Sequence, residues 1–212
     1  MTTNTENAVK VRNSNGAYVN KLADTQVDVN ALLERITTLE QRVNELESAP
    51  AQDIEDRLSM VVFSGDLDKA IAAFIIATGA VAMGMDAVMF FTFWGTPVLR
   101  DPNKSVGGKD TFGKMFGTML PKGMGQIKLS KMNMGGMGTA MMKSLMKKKN
   151  VASLEQFLEM AEELGVRILI CEMSMDLMGF KREEMIDYKH LHFGGVAKYL
   201  EEAQNSKIQL FI

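Results

Sequence analysis

The sequence predicts an α/β fold: a doubly wound, mostly parallel sheet with helices on both faces, preceded by an N-terminal coiled-coil helix. Three observations carry that reading. From Leu58 to the end of the chain, short apolar runs alternate with longer amphipathic segments, which is how a buried parallel sheet with covering helices is written. Helix-cap chemistry and glycines punctuate those segments. Ahead of them, apolar residues recur at heptad spacing from Val29 to Leu46.

The elements follow in order. Residues 1–26 are polar and lack hydrophobic periodicity, so a disordered tail is expected, with no apolar core of a signal peptide. Segment 27–49 reads as a coiled-coil helix, with Val29, Ile36 and Val43 at position a and Leu32, Leu39 and Leu46 at position d. Arg35 and Arg42 fall at g, and Glu40 and Glu47 at e, so a parallel pair of chains sets opposite charges together. An amphipathic helix packed on its own domain is the alternative. Residues 50–57 form a linker, and 58–212 the main domain. There SMVVF (59–63) reads as a strand, Asp66 to Met83 as a helix, and AVMFFTFW (87–94) as a second strand. The stretch from Ala70 to Trp94 is almost wholly apolar. Asp86 interrupts it, and the roughly 16 residues before it fall short of the ~20 a membrane span needs, so no transmembrane span is expected. Ser153 opens a helix with Gln156 completing a capping box. Leu154, Phe157, Leu158, Ala161 and Leu164 form its apolar face, and Gly165 closes it. VRILI (166–170) is a third strand, Gly194 to Ala203 a helix, and IQLFI (208–212) a last strand.

Residues 100–149 stand apart. They hold eleven Lys or Arg against two acids, nine of the 18 glycines and nine of the 19 methionines. The segment is therefore +9 in a chain whose formal net charge is −2. So much glycine argues against a rigid element, and methionine gives adaptable apolar contact. A mobile basic flap is expected, with a helix from Thr139 to Lys148. The net charge of the whole chain gives no reason to expect nucleic-acid binding.

Cys171 is the only cysteine, so the chain has no internal disulfide and no cysteine-only metal cage. A reducing, cytoplasmic setting fits. The residue directly follows VRILI, which puts it at the carboxyl end of an inner strand, where open α/β sheets bind ligands. Ser174 is expected to cap a short helix beginning there, and helix N-termini stabilise a thiolate. A buried structural cysteine is the alternative. No C-x-x-C is present. Ile168 stands where a peroxidatic cysteine wants threonine, and Met and Ser follow where a rhodanese loop has glycine and arginine. His190 and His192 exist, but nothing in sequence couples them to Cys171. The glycine runs at 107–109 and 135–138 lack phosphate-loop spacing.

The runs FSGDLDKA (63–70), FTFWG (91–95), LSKMNMGGMG (129–138), CEMSMDLMG (171–179) and GGVAKYLEEA (194–203) resemble the DsrE/DsrF-like sulfur-carrier family. The branch labelled peroxiredoxin-like, which lacks peroxiredoxin chemistry, is most similar. The resemblance covers about 58–212. It implies a doubly wound domain whose single cysteine, here Cys171, holds sulfane sulfur as a persulfide or thiosulfonate. It also implies oligomers, and partners such as small TusA-like carriers and rhodaneses. Its motifs make Ser64, Gly65, Asp66, Lys131, Asn133, Met173, Ser174 and Asp176 substrate or pocket candidates. The chemistry needs neither a metal nor an organic cofactor, and the basic flap would attract anionic sulfur species. Two other readings stay open. One is a non-catalytic oligomeric interaction module in which Cys171 is inert. The other is Cu(I) handling by the methionine pairs.

Overall fold

The computed structural model describes residues 10–12, 18–20, 29–48, 54–109 and 111–212, with side chains of the first helix described from 29 to 45. The chain divides into two units, Met1–Ala51 and Gln52–Ile212.

In the first unit, β1 (Lys10–Arg12) pairs antiparallel with β2 (Tyr18–Asn20), Val11 opposite Val19. This departs from the expected featureless tail: valine and tyrosine favour the pleat, and each strand offers the other its backbone groups. The rest of 1–26 lies outside the described residues. Helix α1 (Val29–Ser48) follows as one unbroken element. Its seam residues Val29, Leu32, Ile36, Leu39 and Val43 are each at least 47% exposed, as is Leu33 beside them. The side chains of Leu46 and Glu47 lie outside the described residues.

The second unit holds β3 (Glu55–Val62), α2 (Leu67–Ala82), β4 (Asp86–Phe91), α3 (Thr111–Met119), α4 (Met137–Lys148), α5 (Leu154–Glu163), β5 (Arg167–Cys171), α6 (Glu172–Met178), β6 (Leu191–Gly194), α7 (Val196–Gln204) and β7 (Ser206–Phe211). The sheet order is β6-β5-β4-β3-β7, and every pairing is parallel. The doubly wound α/β expectation holds. Moving from β3 to β6, each connection steps the same way; from β6 the chain crosses back to β7 at the opposite edge. Right-handed crossovers therefore put α7 on the face opposite α2 and α5.

The first face is sealed. Met60, Val62, Met89, Phe91, Ile168 and Ile170 pack under Phe74 and Ala77 of α2 and under Leu154 and Ala161 of α5. Small residues along α2 let it approach the sheet closely: Ala70, Ala73, Ala77 and Ala80 are all buried. The capping box of α5 is complete, with Gln156 N donating to Ser153 Oγ at 3.3 Å and Ser153 N to Gln156 Oε1 at 2.8 Å. On the other face, α7 covers a smaller cluster of Phe90, Leu169, Cys171, Tyr199 and Ala203. No helix among the described residues is long and apolar enough to cross a membrane.

Three details differ from the sequence reading. The second strand stops at Phe91, and Phe93–Leu99 form a 3-10 turn instead. That turn crosses the end of β3 in backbone contact: a Cβ on Gly95 would lie 2.2 Å from the Val62 carbonyl oxygen, and one on Gly65 2.3 Å from that of Trp94. Secondly, β6 is a strand of four residues, too short to show alternation. Thirdly, the glycine-rich segment carries α3 as well as the expected C-terminal helix, α4. It is also pinned. Buried Arg100 donates to the carbonyls of Gly117 (3.3 Å) and Pro121 (3.1 Å), at the end of α3, and pairs with Glu184 at 3.5 Å. Burial pushes the Arg100 guanidinium below its ordinary range, opposed by the Glu184 charge. Lys109 reaches the same carboxylate at 2.6 Å. Ser130 donates to Asp68 of α2 from both N (2.9 Å) and Oγ (2.6 Å).

Candidate functional site

Parallel pairing places Cys171 at the carboxyl end of β5, an inner strand between β4 and β6, with Gly194 as its partner on β6. The thiol is not open: the residue is 3% exposed, beneath Tyr199, whose ring stacks on Phe90 at 5.0 Å. Burial raises the Tyr199 phenol above its ordinary range. The cover thins toward the carboxyl edge. Val61 is half-buried, and Phe63 contacts Phe93 and Phe211, with Phe211 70% exposed.

The expected helix after Cys171 exists, but its cap is different. Helix α6 starts at Glu172, so Cys171 itself is the cap residue and Ser174 lies inside the helix. Ser174 is fully buried, and its Oγ makes a 2.9 Å hydrogen bond with Thr92 Oγ1 and accepts from Phe93 N at 3.0 Å. It latches α6 onto the turn after β4. That turn needs a latch, because Phe93 holds φ = 45°, a left-handed conformation costly for a non-glycine residue. Met173 and Asp176 stand exposed on the same helix.

The remaining candidates gather elsewhere. Ser64 Oγ donates to Asp66 Oδ2 at 2.8 Å, and Lys69 pairs with Asp66 at 3.0 Å. Ser64, Gly65 and Asp66 line a cavity of about 380 Å³ with Trp94, Leu120 and Ile127, at the end of β3. Cys171 does not line it. Asn133 Oδ1 accepts from Thr139 Oγ1 at 2.8 Å, and Thr139 Oγ1 accepts from Leu129 N at 3.1 Å, so Asn133 braces its own loop. Lys131 is exposed. No hydrogen bond or ion pair joins Ser64, Gly65, Asp66, Lys131 or Asn133 to Cys171 among the described residues. His192 faces Leu169 across the β5–β6 pairing, two residues before Gly194, and makes no bond to the thiol. Sequence reasoning missed Tyr199 and Gly194 as neighbours of Cys171, and Lys198, whose stem lies against Gly194. All three lie in the run GGVAKYLEEA, whose bearing on Cys171 depends on β6 being a strand.

A family model described as DsrE/DsrF/DrsH-like matches residues 54–211. The chain belongs to that family. Two curated relatives match over about three quarters of the chain. The uncharacterized protein YrkE of Bacillus subtilis is 46% identical over 156 residues, 74% of this chain and 96% of the relative. The sulfur carrier protein DsrE2 of Allochromatium vinosum is 35% identical over 159 residues, 74% of this chain and 99% of the relative. Among solved structures, the Escherichia coli ychN protein aligns at a TM-score of 0.43 with 10% identity, over 74% of this chain and 98% of that one, a likeness too distant to bear on function. The DsrE/DsrF/DrsH-like match begins at residue 54, so α1 lies outside it. Membership supports a sulfur-relay role in general.

Proposed function

We propose that this protein accepts and passes on sulfane sulfur at Cys171. The observation that carries the reading is the position of the chain's one thiol: the carboxyl end of an inner strand, under the thinner cover of the sheet, in a family with a relative named as a sulfur carrier. The Cys171 thiolate attacks the outer sulfur of a donor persulfide. The donor's S–S bond breaks, the donor leaves as a thiolate, and Cys171–S–SH forms with no net oxidation. An acceptor thiolate then removes the sulfur by the same displacement. Small TusA-like carriers and rhodaneses are the partner classes in this reading, in the cytoplasm. Because the thiol is buried, loading requires the α7 layer to open locally.

Mass spectrometry after incubation with polysulfide tests it. Cys171 should gain about 32 Da, one sulfur atom, removable by reductant. An equal gain by Cys171→Ser would sink the reading. The burial of Cys171 favours one competitor, an interaction module with an inert thiol. In that case iodoacetamide leaves the native protein unlabelled and no sulfur is taken up.

The same reading has α1 assemble carriers with a second copy of this chain as a parallel coiled coil. The exposed seam supports it, as do β-branched residues at a, leucine at d, and the pairing of Arg35 with the second copy's Glu40. In full-length chains carrying Cys171→Ser, Leu32→Cys should form disulfides with itself. A preference for joining Leu32→Cys to Val43→Cys would reverse the orientation. Cross-linking no faster than in a Glu34→Cys control would remove the coiled coil.

A further inference from the structure

We infer that Lys198 receives the anionic end of the sulfur species handled at Cys171, an inference that rests on the carrier reading above. Its basis is a vacancy beside the thiol. Cys171 and Gly194 are paired across β5 and β6. Paired residues on neighbouring strands point to the same face, with strands about 4.8 Å apart. Gly194 has no side chain to place there. A Cβ built on it would lie 2.8 Å from Cδ of Lys198, 3.3 Å from its Cβ and 3.4 Å from Leu169 Cδ1. The Lys198 stem therefore occupies the space a residue-194 side chain would fill. That space adjoins Cys171, which clusters with the same Leu169 and with Tyr199, the residue after Lys198.

The ammonium at the end of this stem is uncommitted. Lys198 is exposed, and its side chain has no hydrogen-bond or ion-pair partner among the described residues. The surrounding cations do. Arg167 pairs with Glu202 of α7 at 2.6 Å, and Arg182 pairs with Glu172, the residue after Cys171. The other polar groups on these elements include Glu201, exposed three residues after Lys198 on α7, His192, exposed on β6, and the buried Tyr199 phenol. A stem packed on the sheet with a free cationic head is how lysine presents charge at the edge of an apolar site.

Of the sulfur species already expected at Cys171, a cationic head favours those with a terminal oxyanion, such as a thiosulfonate or polythionate. With tetrathionate, the Cys171 thiolate attacks an inner sulfur and the central S–S bond breaks. Thiosulfate leaves with the electron pair, and Cys171–S–S–SO3⁻ remains. The thiol proton goes to solvent. Both the entering dianion and the tethered sulfonate are attracted by the Lys198 ammonium.

The test compares two reagents on the full chain, each read at Cys171 by mass spectrometry: tetrathionate, a dianion, and iodoacetamide, which is neutral. Lys198→Met keeps the stem over Gly194 and removes the charge; Lys198→Arg keeps the charge. Lys198→Met should slow tetrathionate about fivefold to tenfold, the scale of one partly solvated charge, and leave iodoacetamide within about twofold. Lys198→Arg should stay near the native rate, and high salt should erase the difference. Equal slowing of both reagents would assign Lys198 to packing alone, and no slowing of either would remove it from the site. Those outcomes leave the carrier reading standing. A native chain that takes iodoacetamide but no sulfur, or neither reagent, overturns the carrier reading and the role of Lys198 with it.

Discussion

On the face of the sheet under α2 and α5, Met60, Phe74, Met89, Phe91 and Ile168 are wholly sealed. On the face under α7, five residues make the cluster; Val61 beside them is half-buried and Phe211 is mostly exposed. One face is therefore thick and the other thin, though the same strands supply both. The difference separates two jobs. Close packing over the thick face stabilises the fold. The thin face keeps its thiol out of water with a single nine-residue helix, and local openings of so small a cover cost less than global unfolding.

The largest expected effect lies on the thick face. Phe91→Ala leaves a cavity where Phe74 contacts the ring at a centroid distance of 6.1 Å, and should cost about 3–5 kcal/mol in denaturant unfolding. Tyr199→Ala is the matching truncation on the thin face. With α7 free to settle it should cost about 2 kcal/mol, and iodoacetamide labelling of Cys171 should speed up. An equal cost without faster labelling would erase the distinction between the faces. The smallest effect lies at the outer rim of the thick face, where Ser130 ties the flap to Asp68. Burial alone would raise the Asp68 carboxyl, but the hydrogen bonds from Ser130 outweigh it and hold the group below the ordinary aspartate range. A carboxyl held low when folded adds stability at neutral pH, and loses it as acidification passes below that range. Asp68→Asn should therefore cost only a few tenths of a kcal/mol at neutral pH, given its exposure. Its difference from the native chain should vanish in acid. A difference that persists there would assign the effect to packing.

Four of the five strands were legible because buried parallel strands are written as short apolar runs, and VRILI marked β5 to within one residue; β6 was not, because four residues are too few to show alternation. The surroundings of Cys171 were not. Their burial depends on α7 crossing from one edge of the sheet to the other, a long-range fact that no local spacing encodes. Ser174 and Asn133 drew attention as polar residues inside motifs, yet each is consumed by hydrogen bonds that hold a turn. One glycine of the basic segment has a role its composition does not reveal. Gly123, at φ = 85°, sits where a Cβ would lie 2.3 Å from the Arg100 carbonyl oxygen, so it serves a tight crossing rather than looseness. The Gly194–Lys198 spacing spans a strand end and a helix start, and acquires meaning only once β6 is paired with β5.

Cys171 being the chain's one sulfhydryl has a consequence for stoichiometry. Under the carrier reading, each chain holds a single load and has no second thiol to resolve it, so inventory cannot be adjusted within the molecule. Throughput is then set by dwell time: how long a loaded chain waits before an acceptor finds it. A layer that shields the sulfur from solvent lengthens that wait without loss, and the quantity open to regulation is traffic rather than storage.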